Sequence, residues 1–486
     1  MNATRQAIFQ AGDLVEQAFS RAAGAPLIAG NKVRLLRDAT ENYPAWLDAI
    51  EKATRTIHCE SYIIHDDDIG RRFADALSAK ARQGVQVRLI YDWMGALGAA
   101  SWRFWKPLRR AGVDVRCFNP PRFGSRFGWL RRDHRKMLTV DGQAGFITGL
   151  CVGRRWVGDP QAGLSPWRDT GVQIEGPAVA SIERAFADMW SALGPPIPED
   201  EIIQSSNCPP YPRGVALRIV ASSPYTAGLY RFDKIVAALA QRSIWLTDAY
   251  YLGTTPYVQA LAAAARDGVD VRLLVPHSND IPLLRSFSRT GYAALLEAGV
   301  RVFEWNGPML HAKTAVVDGR WARVGSSNLN PASWIGNWEL DVVVEDKPFA
   351  EDMEEMYLED LDNSTELVLR HSDVRAPGKP ARRRRRRRVA QGSGGRAVTS
   401  LLTMGATLRA TMATRRVLGH PEMAAVVTIG VVLLAIAVAG ALWPPLVSVP
   451  VALLSAWGGA SLLMRAWRNR RQRAKQREDD SVDLGG

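Results

Sequence analysis

Cysteine is scarce in this chain of 486 residues, which has four: Cys59, Cys117, Cys151 and Cys208. No two are spaced as a CxxC pair, so neither a zinc cluster nor a disulfide framework is expected, and a reducing cytoplasm fits the usage. A secretory leader is also missing. The opening MNATRQAIFQAGDLVEQAF carries Arg5, Asp13 and Glu16 among apolar residues spaced as on an amphipathic helix, with no unbroken apolar core. Net charge is absent from most of the chain. Residues 371–486 hold 20 Lys plus Arg against 6 Asp plus Glu, a surplus of 14 that exceeds the +13 of the whole and leaves residues 1–370 at −1. All of the excess positive charge is therefore in the tail.

What is present is a duplication. HRKMLTVD at 134–141 recurs 177 positions later as HAKTAVVD at 311–318, with His, Lys and Asp in the same register. In a strand, alternate side chains share a face, so His and Lys two apart project together, and two copies can bring two imidazoles and two ammonium groups to one phosphate. One such triplet says little alone. Here each copy runs on into an apolar stretch and a small-residue turn, GFITGLC at 145–151 and ARVGSSN at 322–328. The likeness extends further: CESYII (59–64) matches TDAYYL (247–252), ARQGVQVRLI (81–90) matches ARDGVDVRLL (265–274), and AGVDVRCF (111–118) matches AGVRVFEW (298–305). Within each copy, β-branched runs such as Val85 to Tyr91 alternate with Ala-rich helical stretches such as Ile69 to Ala81. The class is α/β, read as two fused domains whose shared cleft holds the paired motifs, neither half being active alone.

These residues resemble the phospholipase D superfamily, and within it most closely the bacterial cardiolipin synthases. The resemblance covers roughly Gly30 to Arg370. It is carried by both HxKxxxxD motifs, by GSSN at 325–328, and by ENYPAWLDAI at 41–50, WRDTGVQIEGPAV at 167–179 and NWELDV at 337–342. It implies two α/β/α domains related by a pseudo-two-fold axis, a pair of mixed sheets flanked by helices, and phosphatidyl transfer through a covalent phosphohistidine without a cofactor or metal.

The chemistry is also legible in the side chains. A phosphodiester is anionic and a poor electrophile, so it needs cations at its non-bridging oxygens, an in-line nucleophile, and a proton donor for the leaving alkoxide. Lys136, Lys313 and Asn328 suit the first need, with Ser326 beside them in the GSSN turn. Imidazole, with an ordinary pKa of about 6.5, can attack as the neutral base in one copy while the other, protonated, gives up its proton. By analogy with the family His134 is the nucleophile and His311 the acid, which then serves as base on the incoming hydroxyl; the symmetry of the repeat leaves the reverse order open. Each imidazole needs an acceptor for its second nitrogen. Asp169 and Glu339, 35 and 28 residues after their respective histidines, are the candidates, against the reading of acids that merely end surface strands. Asp141 and Asp318 complete the motif; each precedes a Gly, so they are either catalytic or buttresses of the strand. Cys151 stands where the second copy has Asn328 and reads as a small buried filler.

The remaining segments concern the membrane. Arg382 to Arg388 are seven consecutive arginines, followed by a flexible GSGG. Residues 423–442 run without a charge, and after Trp443, Pro444 and Pro445 comes a second uncharged stretch, Leu446 to Met464. Each can cross a bilayer core of about 30 Å, although Pro450 and the Gly458-Gly459 pair leave a re-entrant course open for the second. Basic residues flank both sides, so the pair reads as a transmembrane hairpin with both ends cytoplasmic. Aromatic and basic residues at 102–110 and 123–132 suggest an interfacial lip. The expected organisation is an amphipathic helix at 1–29, phospholipase D-like domains at 30–200 and 213–370, an Arg-rich linker at 371–422, the hairpin at 423–464 and a cytoplasmic tail at 465–486. The expected function is a cardiolipin synthase of the bacterial inner membrane, its catalytic domains cytoplasmic. Its expected partners are phosphatidylglycerol, phosphatidylethanolamine as a further donor, and an anionic membrane rather than nucleic acid. The alternatives are a hydrolase of the same superfamily, in which water replaces the alcohol, and a scaffold with a dead site.

Overall fold

Strand and helix alternate through each repeat because their apolar residues do. In the helix Asp68–Arg82, Asp67 caps the first turn by accepting from the Gly70 N–H, and Phe73 and Leu77, four apart, turn to the core. In the helix Asp38–Lys52 the same face is made by Ala39, Tyr43, Trp46 and Ile50. The computed structural model describes residues 14–120, 131–278, 280 and 282–368. The Arg-rich linker, the hairpin at 423–464 and the tail lie outside the described residues, and among the described residues no helix is long and apolar enough to cross a membrane.

Fifteen strands among the described residues make one sheet. The first half runs β4 (Asp114–Phe118), β3 (Gln86–Asp92), β2 (Thr56–Ser61), β5 (Lys136–Val140), β6 (Ala144–Thr148), β7 (Thr170–Glu175) and β1 (Ile28–Arg37). The second half repeats that order as β11 (Arg301–Trp305), β10 (Asp270–Pro276), β9 (Ser243–Thr247), β12 (Thr314–Val317), β13 (Trp321–Gly325), β14 (Glu339–Glu345) and β8 (Val215–Ser222), with β15 (Ser364–Leu367) added outside β11. In each half one run of three strands, β4-β3-β2 or β11-β10-β9, is parallel, and the other pairings, β15 on β11 included, are antiparallel. The two mixed sheets are not separate. They join edge to edge where β1 pairs with β8 through a bulged register.

Alternation along the strands gives each sheet two buried faces. Leu138 and Phe146 face the first half's outer helices, and Ala315 and Val317 face the second half's. Met137, Ile147, Val316 and Val324 face a central layer instead, where the helices Val179–Leu193 and Lys347–Asp362 share one core with strands of both halves. That shared core makes the pseudo-two-fold interface a packed interior and not a loose domain boundary.

The domain limits differ in detail from the sequence expectation. The N-terminal helix ends before Gly24, and β1 begins at Ile28, inside the span assigned to the amphipathic segment. This helix docks on the second half: Glu16 and Ser20 accept from the buried Arg218 of β8, and Phe19 packs on Phe232. The proposed lip is also divided. Phe104 and Trp105 are buried in the first half's core, Trp102 is exposed, and residues 121–130 lie outside the described set.

Candidate active site

The two motif histidines stand at equivalent places, just ahead of β5 and β12, in extended lead-in segments. Each lead-in runs beside a segment of the other half. The His134 N–H donates to the Trp338 carbonyl at 2.9 Å and the Trp338 N–H to the Arg132 carbonyl; likewise the His311 N–H donates to the Arg168 carbonyl at 2.7 Å and the Arg168 N–H to that of Met309. Because Trp338 precedes Glu339 and Arg168 precedes Asp169, this backbone pairing delivers each carboxylate to the opposite histidine. His134 Nδ1 lies 2.9 Å from Glu339 Oε2, and His311 Nδ1 lies 2.7 Å from Asp169 Oδ2.

This corrects the sequence reading, which matched Asp169 with His134 and Glu339 with His311. The acids are the expected ones, but the pairs are crossed, and each histidine depends on a group from the other domain. Both carboxylates are fully buried. Glu339 also accepts from Ser326 Oγ at 2.6 Å and from Asn337 Nδ2 at 3.1 Å. Ser326 is thus placed on the carboxylate. Asp169 accepts from the Trp156 indole N–H at 3.0 Å and from the Thr170 N–H at 2.9 Å.

The rings open onto one cleft of about 530 Å³, lined by His134, Lys136, Cys151, His311 and Asn328 together with Tyr62, Tyr250, Trp156 and Trp167. Tyr62 meets His134 edge-on with ring centroids 5.1 Å apart, and Tyr250 meets His311 edge-on at 5.9 Å. The Lys313 amine lies against the His311 ring, 2.9 Å from Nδ1, and the Lys136 amine sits over the Tyr62 ring. Asn328 is buried with its Oδ1 unpartnered. Cys151 is buried and its thiol is pushed up by burial, as suits a filler rather than a nucleophile.

The electrostatics follow from burial among cations. His311 is pushed down to about 3, first by loss of solvent and then by the Lys313 charge, against the pull of Asp169. His134 is lowered too, again mainly by burial, with Lys136 and Lys313 assisting and Glu339 opposing. Burial pushes Lys313 down to about 8. Asp169 is held at about 2: burial would raise it, but His311 and Lys313 outweigh that. Near neutral pH both imidazoles are therefore uncharged, with the Lys136 amine on the cleft wall and the buried Lys313 amine against the His311 ring. A consequence for stability carries a definite sign. Below pH 6.5 the unfolded chain takes up a proton that folded His311 refuses, so stability falls as pH drops from 6.5 toward 3. Between pH 6.5 and 5 the loss due to His311 is about 2 kcal/mol. Denaturant melts of the wild type and of His311→Asn across that interval should show a steeper decline in the wild type.

Asp141 and Asp318, carried from the sequence as motif members, are elsewhere. Each follows its strand in a left-handed conformation, φ 53° and 55°, continued by Gly142 and Gly319. The Asp141 carboxylate accepts from the backbone N–H groups of Thr54, Arg55 and Thr56, and Asp318 does the same for Gln241, Arg242 and Ser243. Both clasp the chain at the entrance to the neighbouring strand. They hold the motif strand in place and neither is among the residues lining the cleft, which is the geometry of a buttress.

Comparison with known proteins agrees with this geometry. A family model described as cardiolipin synthase, PLD-like domain, matches residues 46–190 and 235–361, which contain both histidine motifs. Cardiolipin synthase A of Pseudomonas entomophila is 34% identical over 358 residues, 71% of this chain and 72% of that protein. The chain belongs to the cardiolipin synthase family. A second such relative, cardiolipin synthase A of Pseudomonas fluorescens, is 34% identical over 346 residues, 69% of each chain. Among solved structures, a phosphatidylserine synthase from Haemophilus influenzae superposes with a TM-score of 0.57 over 72% of this chain and 91% of its own, at 16% identity, a likeness of fold.

Within this cardiolipin synthase-family fold, sequence reasoning missed the ring shell. Tyr62 and Tyr250 occupy matching places in CESYII and TDAYYL, so the repeat itself marked them. Arg168 was hidden: it is buried in a bidentate pair with Asp360, at 2.8 and 3.0 Å, and also bonds Asp38, which pins the Asp169 segment from behind. Nothing local in the sequence links those three residues.

Proposed function

We propose that this chain transfers a phosphatidyl group between phospholipids at a membrane surface, with phosphatidylglycerol as acceptor, through a phosphohistidine on His134. The observation that carries this is the pair of histidines, each backed by a buried carboxylate from the opposite half, opening on one cleft with Lys136 on its wall, while the buried Lys313 amine lies against the His311 ring. The donor phosphodiester enters between the two rings, beside Lys136. Its negative charge cancels the cationic field that helps keep His311 neutral, so His311 takes up a proton as the substrate binds. His134, the more exposed ring, attacks phosphorus through Nε2 while its Nδ1–H is held by Glu339. His311 gives its proton to the departing headgroup alkoxide. Now neutral, His311 accepts the proton of the terminal hydroxyl of phosphatidylglycerol, whose oxygen displaces His134 and forms cardiolipin. Glu339 and Asp169 steady the imidazolium charge at each stage.

The test is a product analysis. Purified full-length protein in phosphatidylglycerol vesicles is expected to yield cardiolipin and free glycerol. Turnover should persist in EDTA, because the cleft wall supplies the phosphate with the Lys136 ammonium. Phosphatidic acid as the dominant product would instead assign a hydrolase to the same residues.

A further inference from the structure

The cleft is not symmetric in charge, and its asymmetry lies beside His311. Arg155 lines the cleft from the first half and is exposed. Its guanidinium lies over the Trp167 ring, 5.6 Å from the centroid, and Trp167 in turn packs on His311 at 5.6 Å. Its neighbour Arg154 is engaged by Asp68 and Asp159, whereas among the described residues Arg155 has no acidic partner. His65 lines the same side and packs on Trp156. Its ring fits there because residue 153 is Gly: a Cβ at that position would come within 2.5 Å of His65 Cδ2. In the second half the equivalent stretch supplies Ala332 and Ser333 to the cleft, and the charged group on that rim is Asp280, held by the Tyr250 hydroxyl at 2.8 Å.

An exposed guanidinium over an aromatic ring, with no acidic partner among the described residues, is available to a phosphate. A phosphate held between the two histidines already has Lys136 on the cleft wall, so Arg155, on the far side of Trp167 from His311, is placed for a different one. Resting on the transfer reading above, we propose that Arg155, with His65 beside it, binds the acceptor's own phosphate and so selects phosphate-bearing alcohols over water and neutral alcohols. The geometry fits the second half-reaction. The acceptor hydroxyl must sit at His311 to lose its proton, and a glycerol bridge carries the acceptor phosphate away from that point. Arg155 stands two contacts from His311, through Trp167. Asp280, the acid on this side of the cleft, is taken by the hydroxyl of Tyr250, a second ring on His311, so Arg155 is the cation open to a phosphate there. The step balances: His311 takes the hydroxyl proton, the new P–O bond forms as the P–N bond to His134 breaks, and Arg155 only holds the departing product's second phosphate.

The test is a competition between acceptors on the same phosphohistidine. Full-length protein in phosphatidylglycerol vesicles containing ethanol forms cardiolipin when phosphatidylglycerol attacks, phosphatidylethanol when ethanol attacks and phosphatidic acid when water attacks. For Arg155→Ala the ratio of cardiolipin to phosphatidylethanol is expected to fall at least tenfold. Arg155→Lys, which keeps the charge but loses the bidentate guanidinium fork, should restore part of it, and His65→Ala should move the ratio in the same direction by less. If the three products fall together in Arg155→Ala, or the ratio is unchanged, the acceptor subsite is wrong while phosphatidyl transfer stands. A wild type that makes phosphatidic acid and phosphatidylethanol but no cardiolipin would overturn the transfer reading itself.

Discussion

His134→Ala is expected to abolish phosphatidyl transfer, with a loss of at least ~10⁴-fold, because removing a covalent nucleophile leaves only binding and electrostatics to act on phosphorus. His311→Ala should cost as much with a natural lipid, whose alkoxide cannot leave without a proton. The two variants separate on an activated substrate. A phosphatidyl ester of p-nitrophenol leaves unprotonated, so His311→Ala should still release one equivalent of nitrophenol in a burst and then stall, holding a phosphohistidine that has no base to activate the acceptor. His134→Ala should give no burst. A burst from His134→Ala and none from His311→Ala would reverse the assigned order, and steady turnover by either would remove the histidines from the chemistry.

The second large effect concerns the crossed carboxylates. Glu339→Gln and Asp169→Asn each preserve shape while removing the charge that stabilises an imidazolium, and losses of roughly 10² to 10⁴ are expected. Their consequences should differ by step. Asp169 sits on His311, so Asp169→Asn is expected to keep the nitrophenol burst and lose turnover. Glu339 sits on His134, so Glu339→Gln should slow the burst itself. Were each acid serving the histidine of its own half, the two results would be exchanged. The same geometry explains why a single half cannot work: cut apart, each domain would keep a histidine with no acceptor and a buried carboxylate with no partner.

Much of this was readable from residue order. The repeat located both motif strands, the GSSN turn and the helix and strand at 69–81 and 85–91, which the structure places at Asp68–Arg82 and Gln86–Asp92. These features are local, set by periodicity and by residues a few positions apart. The Asp-Gly steps at Asp141 and Asp318 announced turns, and turns are what they are. The HxK spacing put histidine and lysine on one side, as found, although both triplets lie at the strand entrance and not fully within it.

The residue types alone determined that this protein carries two imidazole–ammonium sets on a duplicated α/β frame, because such a pattern needs only the short-range alternation of a strand and the memory of a duplication. Which carboxylate serves which histidine was decided only by the fold. Glu339 and His134 are 205 positions apart and Asp169 and His311 are 142 apart. They meet because β1 pairs with β8 and the two halves share one core, which lays each histidine lead-in beside the opposite half's carboxylate lead-in. The destinations of the Asp141 and Asp318 carboxylates, the ring shell of Tyr62, Tyr250, Trp156 and Trp167, and the unshared charge of Arg155 were likewise settled by packing. Burial, charge and hydrogen-bond partners are properties of neighbours in space, and a chain acquires those only when it closes on itself.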